Sequence, residues 1–486
     1  MKGSMVKRGR QCDVTVTKTH LRCTLKTNLG PNTFLDIPLS DILAVQTPSR
    51  DSSNIPSPTA SSTTSASTSA PTASSSSCED NNNQSVVVHY AGRRKDSHNL
   101  TWEKLLLSGD SALCSELSTV CNCTITGPGV KGRHLLVLIN PFSGRKSAGR
   151  LFHKKVAPLL RACGLSFTAH ETRGPGDAAV ICQDLDFSTI DGVLTVGGDG
   201  FYSEVLTALM SRQQQLSGLS PDDPDVGVAP LPVPVGLIPG GTGNYVAMYL
   251  HGTKDPVTAA IRVVMGKTTT SNVVGVYQGG KLHRCAGLIC CFGLLGDIMH
   301  ECERFRWMGS FRYKVIPLRA ILGRRPIPGR VDYLHAPSGE WREASGTFYN
   351  LDLNVVDLVD NGARLVPTFG AESNILHLTS DCSLGDHIKG LKKVEDWATG
   401  AFSFPFIQSE PVLRLRVTLD PGTGTAQAAA GEARTQPESS RPTDRPLDGA
   451  TYYINCDGEA LAITRTQFEL RIYPSLVRLF GESPPQ

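Results

Sequence analysis

The stretch GVLTVGGDGFYSEVLTALMSR, residues 192–212, decides the fold. Its opening, Gly192–Val196, is a short apolar run with the length and composition of a buried strand. Gly197-Gly198-Asp199-Gly200 breaks that strand, and from Tyr202 to Arg212 the apolar positions recur at helical spacing. A strand feeding a helix through glycines is the repeating unit of a parallel α/β sheet, whose ligands lie beyond the carboxyl ends of the strands.

Outward from this stretch the unit recurs. His134–Ile139 is an apolar strand, Asn140–Gly149 a loop and Arg150–Cys163 a helix; Ser166–His170 and Asp177–Asp184 read as the next strand and helix. Val235–Ile238 is one more strand that ends in glycines. After about Lys267 the pattern turns to short strands, among them Phe348–Val355, Ile375–Thr379, Leu413–Leu419 and Gln467–Tyr473, which predicts a β-rich domain. Upstream, Cys12–Thr17, Leu21–Leu25, Phe34–Leu39 and Val86–Tyr90 alternate like strands ahead of a helix at Ser111–Val120, the pattern of a small β-barrel of pleckstrin-homology type. Asp51–Cys78 is almost only Ser, Thr, Ala and Pro and marks a disordered insertion over 51–83; 420–449 is a second flexible loop. The expected plan is α/β plus β: a barrel module at 1–125, an α/β nucleotide-binding domain at 130–265 and a β-rich domain at 266–480.

With 486 residues and 40% hydrophobic composition the chain builds its cores without staples. Lys and Arg number 48 against 45 acids, so a nucleic-acid binder working by bulk charge is excluded. Locally the charge is uneven: Lys131–Gly164 and Arg304–Arg330 each hold eight Lys or Arg and no acid. Part of each basic stretch suits a nucleotide; Arg319, Arg324, Arg325 and Arg330 suit anionic lipid. Prolines 230, 232, 234 and 239 interrupt the uncharged stretch Val226–Gly252, so no transmembrane helix is expected. Met1–Val16 lacks the apolar run of a signal peptide, which predicts a cytoplasmic setting and reduced thiols for the 14 cysteines. Cys290-Cys291 and Cys121-x-Cys123 lack a second ligand pair for zinc.

Three glycine loops follow predicted strands: Asn140-Pro141-Phe142-Ser143-Gly144, Gly197-Gly198-Asp199-Gly200, and Gly240-Gly241-Thr242-Gly243-Asn244. Backbone N–H groups in such loops approach phosphate oxygens closely, and three on neighbouring strand ends make one phosphate cradle. Gly144 to Gly149 has Walker A spacing, but Arg150 and Leu151 replace its lysine and hydroxyl residue, and no dinucleotide or protein-kinase motif is present.

The segments NPFSGRKSAG (140–149), VGGDGFYSEVL (196–206), IPGGTGN (238–244) and NCDGE (455–459) resemble the diacylglycerol-kinase catalytic fold that sphingosine and ceramide kinases share. KVAPLL (155–160), GDIMHECERFRWMG (296–309), LVRLFG (476–481) and IPLSDILAV (37–45) bring the resemblance closer to ceramide kinases and ceramide kinase-like proteins. The resemblance implies a two-domain lipid kinase using ATP and Mg2+, with Asp199 as general base on a primary hydroxyl. It places Asn140, Phe142, Ser143, Gly144, Thr172, Gly197, Gly198, Gly200, Glu204, Gly240, Gly241, Thr242, Gly243 and Asn244 at the nucleotide, with Arg306 and Arg312 on its phosphates. Asp457, Gly458 and Glu459 return to the nucleotide, Asp457 toward magnesium. Asp297 lies on the acceptor side; two residues later, where sphingosine kinases carry an acid for the sphingosine ammonium, stands Met299. A neutral lipid gives no reason to bury a carboxylate there, which favours ceramide over sphingosine and leaves ceramide and diacylglycerol unseparated. The alternatives are a diacylglycerol or sphingosine kinase, or an inactive lipid-binding scaffold. The resemblance also implies peripheral membrane contact from the cytoplasm, with phosphoinositides reaching Lys7, Arg8, Arg10, Lys18, Arg22 or Lys26.

Overall fold

A computed structural model of the chain describes residues 1–7, 10–27, 30–47, 83–93, 97–125, 132–144, 146–223, 225, 227–355, 359–360, 363–364, 374–380, 382–386, 388–389, 404–420, 444–447 and 452–481. The serine-rich insertion and most of the 420–449 loop lie outside these residues. Two units emerge: residues 1–132 with 161–164, and the rest.

The first unit is built from β1 (Lys2–Lys7), β2 (Arg10–Val16), β3 (His20–Thr27), β4 (Gly30–Pro38), β5 (Ile42–Gln46), β6 (Asn83–Arg93), β7 (Leu100–Asp110) and α1 (Ser111–Ile125). The strands form one sheet in the order β4-β3-β2-β1-β7-β6-β5. Among the described residues β4 and β5 are its open edges, so the expected barrel is not closed. Alternation puts Cys12, Val14, Val16, Val86, Val88, Leu105 and Leu107 on one face, and α1 covers them with Cys114, Leu117 and Cys121. Of the cations named for phosphoinositides, Arg22 is paired with Asp36 at 2.9 Å and the Lys7 ammonium sits 4.2 Å from the Phe34 ring centre. Arg10 and Lys18 are exposed, while Arg8 and the Lys26 side chain fall outside the described residues.

The second unit opens with β8 (His134–Ile139), then α2 (Ala148–Leu151), a π turn (Phe152–Val156) and α3 (Ala157–Ala162). Next come β9 (Ser166–Glu171), α4 (Asp177–Cys182), β10 (Gly192–Gly197), α5 (Asp199–Leu216), β11 (Val235–Pro239), α6 (Tyr245–His251) and α7 (Pro256–Met265). Strands β9, β8, β10 and β11 are parallel neighbours, so the three glycine loops leave from adjacent carboxyl ends. Helix α5 starts at Asp199, three residues before the sequence pattern predicts, because an acidic residue in the first turn is favoured by the N–H groups there.

The β-rich part comprises β12 (Thr268–Gln278), β13 (Lys281–Ala286), β14 (Ile289–Gly293), α8 (Leu294–Arg304), α9 (Arg312–Leu322), β15 (Ile327–His335) and β16 (Trp341–Asn354). A two-residue pair, β17 (Val359–Asp360) and β18 (Ala363–Arg364), precedes β19 (Ile375–Ser380), β20 (Ile407–Leu419), β21 (Tyr452–Cys456), β22 (Glu459–Ile463) and β23 (Gln467–Phe480). Apart from the β17–β18 pair, these strands do not form a separate sheet. The last strand, β23, pairs with β20 and β12 and also lies beside β11, so the parallel and antiparallel regions share a 14-stranded sheet. Phe480, 1% exposed, packs where Gly192 and Gly236 leave no side chain, which accounts for the LVRLFG segment at the chain's end.

Candidate active site

The three loops close on one another through their backbones. Gly241 lies so near Gly198 that an added Cβ would come within 2.5 Å of its Cα, and the N–H groups of Gly240 and Gly241 both donate to the Gly197 carbonyl, at 2.7 and 3.1 Å. Gly144 has φ +58° and faces the Gly240 carbonyl, where a Cβ would come within 2.6 Å. The first and third loops are also locked internally. Asn140 Oδ1 accepts from the Phe142 N–H at 3.0 Å, and the Asn244 side-chain amide exchanges two hydrogen bonds with the Gly241 backbone, at 2.9 and 2.8 Å. Phe142, Gly144 and Thr242 are exposed, whereas Ser143 and Gly243 are half-buried.

Asp199 sits at the centre, 7% exposed. Its carboxylate accepts from the N–H groups of Tyr245 at 3.0 Å and Val246 at 2.9 Å, the first turn of α6, so the second loop is tied to the third by this side chain. Burial pushes its carboxyl above the usual carboxylate range, against the pull of those N–H donors and of Lys254. The Lys254 ammonium lies 4.6 Å from the Tyr245 ring centre, which makes this lysine, overlooked in the sequence, a cation beside the cradle.

The C-terminal segment reaches the same place. Glu459 lies against Gly200, where no Cβ could fit. Asp457, 1% exposed and at φ +53°, accepts three backbone bonds: from Gly287 at 2.7 Å and from Leu288 and Ile289 at 2.9 Å each. Burial raises its carboxyl to about 7 and the Asp199 charge adds to this, while the three donors oppose it. Three donors leave Asp457 one lone-pair direction and no exposed surface for a hydrated ion. Its geometry is that of a clamp on the 287–289 turn and does not fit the magnesium ligand expected of it. Among the described residues no group of three or more His, Cys, Asp or Glu stands ready to hold a metal.

The remaining expected residues divide. Thr172 is buried beside the first loop, its hydroxyl donating to the Ile139 carbonyl at 3.2 Å. Glu204 accepts from the Gly176 N–H at 2.8 Å, so it anchors the turn before α4. Arg312 begins α9, where its charge acts on Cys302 of α8; the Arg306 side chain lies outside the described residues. Asp297, in the first turn of α8, is held by Arg325 through two bonds at 3.0 and 3.2 Å, and Met299 is half-buried on the same helix. Burial raises the Asp297 carboxyl although Arg325 draws it down. Arg325 is thus committed inward, as are Arg324, which donates to the Cys382 carbonyl at 2.9 Å, and Arg330, paired with Asp332 at 3.2 Å. Of the four arginines assigned to lipid, only Arg319 is exposed.

One feature gave no sequence signal. Asn455, Cys291, Asp352, His377 and Ser409 stand at matched register on β21, β14, β16, β19 and β20, a polar row across the sheet. Its bonds run from loop to helix. Asn455 Oδ1 accepts from the Gly458 N–H at 2.8 Å, Cys291 bonds both Asn455 and Asp352, Asn350 donates to Asp352, and Asn350 Oδ1 accepts from the Leu295 N–H at 3.0 Å. The Asp457-Gly458-Glu459 turn is thereby joined to the start of α8, which carries Asp297. Burial pushes the Asp352 carboxyl up to about 7. A carboxyl raised above its unfolded value of about 3.9 favours the fold at low pH, and this contribution is lost as pH rises toward 7. The Asp352 share of the folding free energy is therefore expected to decline between pH 5 and pH 8 by on the order of 2 kcal/mol, read by urea unfolding as the difference in pH slope between the wild type and Asp352→Asn. Asp352→Asn should remove that share; an unchanged slope in the variant would contradict it.

Comparisons with known proteins agree with this geometry. The diacylglycerol kinase catalytic domain matches residues 134–276. Human ceramide kinase is 32% identical over 204 residues, covering 42% of this chain and 38% of that protein. Sphingosine kinase 1 of Arabidopsis thaliana is 31% identical over 43% of this chain and 41% of that protein. Human ceramide kinase-like protein is 25% identical over 72% of this chain and 69% of that protein. The chain thus spans less than half the length of the ceramide kinases it matches. The three glycine loops and Asp199 all lie within the residues that match the diacylglycerol kinase catalytic domain, and the chain is similar to ceramide kinases, ceramide kinase-like protein and sphingosine kinases.

Proposed function

We propose that the chain is a lipid kinase that transfers the γ-phosphate of MgATP to the primary hydroxyl of ceramide, giving ceramide 1-phosphate and ADP. The observation that carries this reading is the meeting of three glycine loops and the C-terminal turn around one buried carboxylate, Asp199. An alcohol is a weak nucleophile, and a carboxylate with a raised proton affinity in a water-poor site takes its proton as the O–P bond forms. The loop N–H groups and Lys254 face the phosphates, whose charge magnesium bound with the nucleotide would help to offset.

For the acceptor, Met299 is the supporting residue: it stands two residues after Asp297 where an acid would meet an ammonium, while Glu301, a turn further along α8, is paired with Arg304 at 2.8 Å. The relatives named ceramide kinase support the same choice. No helix among the described residues is long and apolar enough to cross a membrane. In this reading the acceptor lipid is met at a membrane surface, with the exposed Arg10 and Lys18 of the first unit offered to phosphoinositides. A scaffold reading draws on the ceramide kinase-like relative, which aligns over 72% of this chain.

Acceptor choice is tested by kcat/KM for ceramide, sphingosine and diacylglycerol in mixed micelles. Ceramide should lead, and Met299→Asp should raise the sphingosine value. A wild-type preference for sphingosine overturns the Met299 argument; a preference for diacylglycerol assigns the other neutral lipid. Lys254→Ala should raise KM for ATP by about 10-fold with little change in kcat for bound substrate, the scale of one charge-assisted phosphate contact. An unchanged KM would remove Lys254 from the site.

A further inference from the structure

Helix α9 is apolar on two opposite faces. Ile316 and Ala320 pack on α8 against Ile298 and Cys302. On the other side Phe311, Val315, Leu318 and Leu322, spaced by four, three and four residues, form one stripe, with 60, 41, 57 and 64% of their surface exposed. Trp307, in the segment that leads into α9 and beyond the backbone break at Gly309, is 81% exposed. A helix that needed only to cover α8 would be polar on this outer face. Exposed side chains of this size in one contiguous stripe mark a surface that meets something apolar.

The charge around the stripe selects the partner. At helical spacing Lys314 falls on one flank and Arg319 on the other, both exposed, and the sequence from Arg304 to Arg330 contains no acid. An apolar centre bordered on both sides by cations, with an indole at one end, matches the layering of an anionic leaflet: acyl chains beneath, phosphates at the rim, and an interfacial level that tryptophan prefers. We propose that this face of α9 docks the enzyme on anionic membranes, with Trp307, Phe311, Leu318 and Leu322 entering the headgroup boundary and Lys314 and Arg319 resting on phosphates. The helix lies in the plane of the surface. Because α9 packs on α8, docking brings the helix that carries Asp297 and Met299 to the lipid from which the acceptor comes. The inference rests on the lipid-kinase reading above and refines it.

The test uses the full chain with phosphatidylcholine vesicles, with and without phosphatidylserine. Sedimentation should show binding that depends on phosphatidylserine, and the tryptophan emission should shift to the blue and be quenched by brominated lipid; Trp307→Phe should abolish the quenching. Leu318→Asp with Leu322→Asp should weaken vesicle binding by about 10-fold or more. It should lower ceramide phosphorylation on vesicles in step and leave activity in detergent micelles and the melting temperature unchanged. Lys314→Glu with Arg319→Glu should abolish the dependence on phosphatidylserine. Vesicle binding unaffected by both double variants overturns the proposal. So does a dimer in solution that Leu318→Asp dissociates, since the stripe would then be covered by a second copy. Failure of the kinase reading is distinct: the wild type would bind vesicles yet show no micelle activity.

Discussion

Asp199→Asn should lower kcat for lipid phosphorylation by about 10²- to 10⁴-fold, the usual contribution of a positioned general base. Its KM for ATP should change little, because the loop backbone that faces the phosphates is closed by other bonds: Gly240 and Gly241 to Gly197, and Asn244 to Gly241. The substitution carries a structural cost that must be measured beside the kinetics. Aspartate accepts from both Tyr245 and Val246; asparagine offers one oxygen and turns an N–H2 toward the other donor. One unsatisfied N–H costs about 1–3 kcal/mol, well inside the 5–15 kcal/mol of a typical domain. The variant should therefore melt several degrees lower, remain folded at assay temperature and still bind ATP. Activity within a few-fold of wild type would leave Asp199 as a cap on α6 and no more.

Asp457→Ala should act on stability first. It strands the N–H groups of Gly287, Leu288 and Ile289 in a site that is 1% exposed, at about 1–3 kcal/mol for each group that water cannot reach. The sum is comparable with the whole stability of an average domain, so the variant should lose soluble yield or melt at a much lower temperature. Asp457→Asn, which keeps one acceptor, should fall between. Hydrogen exchange at residues 287–289 reports the same event locally: protection should vanish in Asp457→Ala and persist in Asp199→Asn. A melting temperature unchanged in Asp457→Ala would show that the turn is held by something else.

The difference between these two aspartates shows where sequence stops informing. The strands His134–Ile139, Gly192–Gly197 and Val235–Pro239 and the loops that leave them are legible because apolar runs and glycines are local signals. Asp199 is legible for the same reason, as the polar residue among those glycines. The clamp by Asp457 joins residues about 170 apart, and nothing in NCDGE announces it. The polar row through Asp352 depends on the register of five strands drawn from residues 289–456, which alternation alone does not set. Likewise Arg324, Arg325 and Arg330 look like surface charge in an acid-free stretch, and only the fold brings them to Cys382, Asp297 and Asp332. Some local signals also mislead. Leu100–Asp110 has the spacing of neither a clear strand nor a helix, and its pairing with Asn83–Arg93 over eleven positions settles it as a strand. The closure of the barrel expected of the first unit is a tertiary matter: among the described residues β4 and β5 stay at the two edges of the sheet.

The central claim, that the loops around Asp199 transfer a phosphoryl group to an uncharged lipid alcohol, meets its most direct test in label transfer. The full chain is incubated with ceramide micelles and ATP labelled at the γ-phosphate or, in parallel, at the α-phosphate, beside Asp199→Asn. Label should enter ceramide 1-phosphate only from the γ position and only with the wild type. A folded wild type that binds ATP and ceramide yet labels neither ceramide, sphingosine nor diacylglycerol would contradict the account and leave the chain a lipid-binding scaffold.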